Sequence, residues 1–79
     1  MKVRQLLEEI VKVLVDNPDK VRVQEIEGKN VTVFEVQVAP GDVGKIIGRQ
    51  GRLADAIRWI LIVAGVKNGR WFKLEILQP

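Results

Sequence analysis

The sequence contains no cysteine, histidine, serine or tyrosine and a single threonine, Thr32. Zinc sites built on Cys and His, disulfide bonds, and nucleophilic arrangements that pair Ser or Cys with His are therefore excluded. Acid–base chemistry would have to rely on carboxylates and lysines alone, and these are scattered along the chain. We therefore expect a binding protein that is not an enzyme and that uses no cofactor and no metal. An enzyme built from Glu and Lys is the least favoured alternative.

Long hydrophobic runs are also missing. The apolar run Trp59–Ala64 is far shorter than the ~20 residues needed to cross a bilayer, and Glu8 and Glu9 interrupt the apolar N-terminal residues, unlike a signal peptide. The hydrophobic share of 47% is too high for a disordered tail. The 79 residues leave no room for a second core, so we expect one domain over 1–79, cytoplasmic and without a membrane partner.

The charge balance favours an anionic partner. Thirteen Lys and Arg residues stand against 10 Asp and Glu residues, which gives a net charge of +3. An excess of this size does not identify the partner.

The first half of the chain predicts a helix followed by a hairpin. Residues 2–16 are predicted to be helical, because apolar residues recur at i, i+3, i+4 and i+7 until Asn17-Pro18 ends the pattern. Val21–Glu27 and Val31–Ala39 are rich in β-branched residues and are joined by a glycine-containing turn, which predicts two antiparallel strands. In the second strand, Thr32, Phe34, Val36 and Val38 are predicted to share one face, with Glu35 and Gln37 on the other.

The second half changes to a helical period. We predict a short helix over Val43–Ile47 capped by Asp42, and a longer helix from Arg52 to Ala64 that ends at Gly65. After a turn over 67–69, Arg70–Leu77 alternates as a last strand. A strand–helix–helix–strand unit crosses over right-handed, which makes its two strands parallel. The expected fold is therefore α+β, in the order α-β-β-α-α-β, with a three-stranded mixed sheet and three helices packed on one face.

The glycines around Arg49 form the most informative segment. Gly48-Arg49-Gln50-Gly51 connects the two predicted helices, and Lys45 and Arg52 flank it. A glycine turn at the start of a helix points backbone N–H groups outward, beside the positive end of the helix dipole, where a phosphate can bind. A purely structural explanation, in which Gly48 ends one helix and Gly51 eases the turn, is equally compatible with the spacing alone.

The run Ile46-Ile47-Gly48-Arg49-Gln50-Gly51-Arg52, followed by Ala56-Ile57, resembles the I-I-G-x-x-G signature of the KH domain. The element order is similar to the bacterial, type II variant, and the resemblance covers essentially the entire chain. It implies a non-catalytic protein that clamps about four nucleotides of single-stranded RNA against the loop between the helices. Ala54 departs from the pattern, because many KH domains have a larger aliphatic residue there, so base preference is not carried over.

The resemblance assigns two groups of contacts. The RNA-binding residues it implies are Gly48, Arg49, Gln50 and Gly51 as the clamp, Lys45 and Arg52 at phosphates, and Ile46, Ile47, Leu53 and Ala54 lining the groove. Lys73 and Leu74, on the last strand, are expected to meet base edges. The alternative is a protein–protein assembly module that retains the fold and contacts RNA only incidentally.

The long helix is predicted to have two apolar sides. At 100° per residue, Leu53, Ile57, Ile60 and Ala64 should face the sheet, with Ala56 and Leu61 on the flanks. The opposite side is predicted to bind a partner, because an exposed Trp beside aliphatic residues is typical of an interface. Its residues are Trp59, Ile62, Val63 and Val66. The expected partner is a second copy or another KH-containing protein.

Overall fold

The helices and strands follow the predicted order, and the computed structural model describes residues 2–78. The elements are α1 (Val3–Leu14), β1 (Arg22–Glu27), β2 (Val31–Gln37), α2 (Val43–Ile47), α3 (Arg52–Asn68) and β3 (Trp71–Ile76). Single 3₁₀ turns at Pro18–Lys20, Pro40–Asp42 and Arg49–Gly51 connect them. Helix α1 is two residues shorter than predicted at its C-terminal end, because Val15 is already extended.

The three strands form one mixed sheet in the order β1-β2-β3. Strand β1 is antiparallel to β2, with Val23 opposite Val36, and β3 is parallel to β2, with Phe34 beside Leu74. The predicted topology is therefore confirmed. Strand β3 lies at one edge of the sheet, and the candidate site described below lies along its open edge.

One face of the sheet and the three helices enclose the core. The four residues predicted to share one face of the second strand are all buried, and Phe34 packs edge-to-face on Phe72 with ring centroids 5.2 Å apart. The buried hydrophobic residues are Leu7, Val11, Val15, Val21, Val23, Phe34, Val36, Val38, Val43, Ile46, Ile57, Leu61, Phe72 and Leu74. Every helix contributes to this set, so the prediction of three helices on one face is confirmed.

Asp42 does not cap α2 as predicted. Its buried carboxylate accepts hydrogen bonds from the backbone N–H groups of Asp16 (3.3 Å) and Asn17 (3.0 Å) and from the Asn17 side-chain amide (3.1 Å). The Lys45 ammonium lies 3.6 Å from the same carboxylate. The carboxylate therefore satisfies donors just after the end of α1 and joins that end to the start of α2.

The groups in contact with Asp42 keep its carboxyl group ionised. Burial alone would raise the pKa of Asp42, but the hydrogen bonds from Asn17 and from the Asp16 and Asn17 backbone outweigh it, and with Lys45 they lower the pKa. The pKa of Lys45 is raised, chiefly by its contact with Asp16 at 3.3 Å. Both groups are therefore held in their charged forms.

Helix α3 does not end at Gly65 but continues to Asn68, and the turn predicted over 67–69 is reduced to Gly69. Gly65 serves a different purpose, because a Cβ atom there would lie 2.4 Å from the carbonyl oxygen of Arg70. The glycine lets the helix approach the start of β3 closely, and the Arg70 N–H donates to the Gly65 carbonyl at 2.9 Å. No helix in residues 2–78 combines the length and apolar character required to span a membrane.

The side of α3 that faces the sheet is shifted by one residue from the prediction. Its buried residues are Ala54, Ile57, Leu61 and Gly65. Ile60, predicted to face the sheet, is 54% exposed, whereas Leu61, predicted on the flank, is buried. Gly65 lies four residues after Leu61 on this side, and its close approach to Arg70 fits the shifted side against the strands.

Candidate nucleic-acid interface

The loop between α2 and α3 has a conformation that glycine alone adopts readily. Gly48 has φ 77° and ψ 177°, and a Cβ atom there would lie 2.6 Å from the Cβ of Leu53. The Gly48 N–H donates to the Gly44 carbonyl at 2.9 Å and closes α2. Gln50 has a positive φ of 57°, in the left-handed region. The loop is thus a sharp, bonded turn between two helices.

The middle of this loop is open to solvent. Arg49, Gln50 and the following Arg52 are exposed. Within residues 2–78, neither arginine has an acidic partner within ion-pair distance. Helix α3 begins directly after the loop, so its unsatisfied N–H groups and positive dipole end lie beside both guanidinium groups. This end of the domain is suited to bind an anion.

A groove leads away from the loop between α3 and the open edge of β3. Its first part is a depression of about 280 Å³ beside Gly51, and its second part is a depression of about 330 Å³ farther along β3. The two depressions adjoin at Arg58 and Glu75, which line both, and together they are called the groove. The first is lined by Ile47, Gly51, Ala54, Asp55, Arg58, Glu75, Ile76 and Gln78. The second is lined by Arg58, Ile62, Trp71, Phe72, Lys73, Leu74 and Glu75.

The edge of β3 offers backbone hydrogen-bonding groups to this groove. The N–H groups of Trp71 and Leu77 donate to carbonyls of the β2 side of the sheet. Because successive residues of a strand point their backbone groups in opposite directions, the N–H and C=O of Leu74 and Ile76 point away from β2. These groups lie at the rim of the groove, where they can pair with the edge of a planar ligand.

The groove contains some of the residues predicted to line it and excludes others. Ile47 and Ala54 line the first depression, and Lys73 and Leu74 line the second. Ile46, also predicted to line the groove, is 0% exposed and belongs to the core. Leu53 is half-buried beneath Gly48, and Lys45 pairs with Asp16 and Asp42.

Three groove residues on α3 were missed by the sequence analysis. Asp55 and Arg58 form an ion pair at 3.3 Å along the rim, and Ile62 lies one helical turn farther on. Ala54, Arg58 and Ile62 are spaced by four residues, which places them on one side of the helix. This spacing, counted forward from the glycine loop, was the signal that could have identified Arg58 and Ile62.

The predicted partner face of α3 is mostly exposed. Trp59 is 67% exposed, and Val63 and Val66 are also exposed. Ile62 is half-buried and faces β3 across the groove, so it lies apart from that face. Ile60 is exposed on α3 as well and borders an apolar cleft against α1.

Comparison with known proteins agrees with this geometry. Residues 4–76 match the family described as KhpA/KhpB, KH domain. The chain is 49% identical to RNA-binding protein KhpA of Clostridium acetobutylicum over 74 residues, which cover 94% of this chain and 99% of the relative. It is 51% identical to RNA-binding protein KhpA of Aquifex aeolicus over 75 residues, 95% of each chain. RNA-binding protein KhpA of Borreliella burgdorferi is 51% identical over 73 residues, which cover 92% of this chain and 89% of the relative.

No solved structure matches the chain. The profile match spans nearly every described residue, and its KH designation agrees with the α-β-β-α-α-β order and with the glycine loop between α2 and α3. The chain therefore belongs to the KhpA/KhpB family of KH domains.

Proposed function

We propose that this chain binds single-stranded RNA without catalysis, clamping the backbone at Gly48–Gly51 and receiving bases in the groove between α3 and β3. The observation that carries the proposal is that the groove begins beside Gly51, in the same loop as the exposed Arg49, which has no acidic partner within ion-pair distance among residues 2–78. The relatives in three bacteria are named RNA-binding protein KhpA, which supports RNA as the ligand.

The clamp acts on phosphates. Arg49 and Arg52 supply donors and positive charge, and the first N–H groups of α3 supply further donors. The missing Cβ of Gly51, which has no neighbouring atom within 4 Å of that position, leaves room for a sugar-phosphate chain to approach the backbone. Lys45 is left out of the clamp, because its ammonium group is already bound by two carboxylates.

The groove is proposed to bind the bases of the strand. Ile47 and Ala54 give it an apolar floor, and the backbone groups of Leu74 and Ile76 give it hydrogen-bonding partners for base edges. Bases in a duplex have these edges occupied by their complements, whereas unpaired bases present them freely. A single strand is therefore the ligand that can use both the clamp and the groove.

The test is the double variant Arg49→Asp with Gln50→Asp, assayed by fluorescence anisotropy with an eight-nucleotide RNA. Both side chains are exposed, and Asp tolerates the left-handed φ of Gln50, so we expect the free energy of unfolding to change by less than about 1 kcal/mol. RNA binding should fall more than tenfold, because two acidic groups then face the phosphates.

The matched control is Lys20→Asp with Gln24→Asp, which changes the net charge by the same amount. Both residues are exposed, and they lie at the β1 side of the sheet, away from the groove. The control should keep most of the parent's affinity. An acidic loop variant that binds RNA as well as the parent would refute the clamp, and a preference for duplex RNA would refute the groove.

We also propose that the exposed face of α3 binds a second KH-containing protein, either another copy of this chain or a KhpB-like protein. Support comes from the exposure of Trp59, Val63 and Val66 on a single helix, a pattern typical of interfaces. Sedimentation at tens of micromolar should show a dimer for the parent and a folded monomer for Trp59→Glu with Val63→Lys. A monomeric parent that recovers no KH-containing protein from cell extract would refute this interface.

A further inference from the structure

We infer that Trp71 is a stacking platform for a nucleobase at the end of the groove remote from the glycine loop, so that the RNA site extends beyond the four-nucleotide clamp. This inference rests on the proposed function of the groove. It adds a subsite that the loop signature does not include.

Trp71 lies where the groove ends. It is the first residue of β3, and its side chain is 57% exposed. It lines the same depression of about 330 Å³ as Ile62 and Lys73, a volume within the range of about 300–1,000 Å³ typical of small-ligand sites. A strand that follows the groove away from the loop therefore arrives at an accessible aromatic ring.

The position of Trp71 in the sheet separates it from the core. Phe72 and Leu74 are buried in the core, whereas Trp71 and Lys73 are exposed and line the depression together with Ile62. The indole is thus available to a ligand, and every base presents a π-face that can stack on it.

The charges around Trp71 favour a base over a phosphate at this end. Lys73 is paired with Glu75 at 3.4 Å, and Arg58 is paired with Asp55 at 3.3 Å. Both cations that line this depression are therefore paired with carboxylates, in contrast to Arg49 and Arg52 beside the loop. What remains accessible here is an aromatic surface.

The distance along β3 places this subsite beyond the clamp. Five residue steps separate Ile76, beside the loop-proximal depression, from Trp71, which is about 16 Å at ~3.3 Å per residue. Stacked bases rise about 3.4 Å each, so four of them extend over about 10 Å from first to last. The sixth base of such a stack lies about 17 Å from the first and reaches the indole.

The test compares oligouridylates of four and eight nucleotides on the parent, Trp71→Ala and Trp71→Phe. Stacking on one aromatic side chain should make the alanine variant lose about 5- to 150-fold in affinity for the eight-mer. Affinity for the four-mer should stay within twofold of the parent, and Trp71→Phe should recover most of the eight-mer affinity. Thermal unfolding of each variant checks that the fold is intact.

A second measurement observes the ring itself. The chain has two tryptophans, so Trp59→Phe leaves Trp71 as the only one, and its fluorescence should be quenched by the eight-mer and unchanged by the four-mer. Equal affinity of the parent and Trp71→Ala for the eight-mer, or equal loss for both lengths, would overturn the inference and leave the clamp standing. Failure of the parent to bind either RNA would overturn the clamp as well.

Discussion

Replacing Gly48 with alanine tests whether the loop conformation is as demanding as its geometry indicates. At φ 77° and ψ 177°, Gly48 occupies a region that is essentially restricted to glycine. A residue with a side chain that adopts this backbone conformation lowers the free energy of unfolding by about 1–3 kcal/mol. The new Cβ would also lie 2.6 Å from the Cβ of Leu53, an overlap that forces a backbone shift and adds about 1–3 kcal/mol.

The two costs together give an expected loss of about 4 kcal/mol. A domain of 79 residues has a free energy of unfolding of about 4–12 kcal/mol, so the variant would lose a large part of its stability. Each kcal/mol lowers the melting temperature of so small a domain by about 4–8 °C. We therefore expect a decrease of about 16–32 °C.

Urea denaturation followed by tryptophan fluorescence measures the change. Gly44→Ala is the matched control, because Gly44 lies in the same helix α2 and a Cβ there would meet no atom within 4 Å. It should be neutral or more stable by up to about 1 kcal/mol, since alanine favours a helix. If Gly48→Ala were as stable as Gly44→Ala, the loop would not require glycine and the argument from its geometry would be refuted.

The remaining predictions concern packing, pH and salt. Gly65→Ala should lower the free energy of unfolding by more than about 2 kcal/mol in urea titration, because its Cβ would overlap the Arg70 carbonyl. Folding lowers the pKa of Asp42 from 3.8, so the ionised carboxylate stabilises the fold above pH 3.8, and this stabilisation is lost as the pH falls below that value. The difference in thermal stability between the parent and Asp42→Asn should therefore shrink as the pH is lowered below 3.8. With two or three phosphates neutralised near Arg49 and Arg52, RNA affinity measured by anisotropy should fall by about 1.4–2.1 log units per decade of salt, and twice that slope would indicate a larger basic surface.

The sequence was sufficient for the parts of the fold in which one periodicity dominates. In β2, alternation alone assigns Thr32 and Phe34 to the core, because one face of the strand is buried along its whole length. In α1, buried Leu7 and Val11 belong to the predicted apolar stripe. The glycine loop was also located correctly, because Gly48 and Gly51 interrupt the helical pattern at a fixed spacing.

The remaining errors have a common cause in tertiary contacts. Gly65 follows a helical pattern like a C-terminal glycine, and only the nearby Arg70 carbonyl shows that it serves close packing. Asp42 precedes α2 like a capping residue, but its carboxylate is taken by Asn17, twenty-five residues earlier in the chain. Ile46 sits in the loop signature and nevertheless faces the core. Asp42 and Ile46 depend on residues distant in sequence, and Gly65 depends on the turn that brings Arg70 back against the helix; local patterns contain neither.

The pairing of β2 with strands on both sides also has a consequence for the order of folding. Strand β1 meets β2 across the short turn that follows Glu27, whereas β3 meets β2 only after α2 and α3 have been inserted between them. Closing a long loop costs more entropy than closing a hairpin, and non-local contacts slow folding. We therefore expect the hairpin to form first and the docking of β3 to complete the groove last. The RNA-binding surface would then exist only in fully folded molecules.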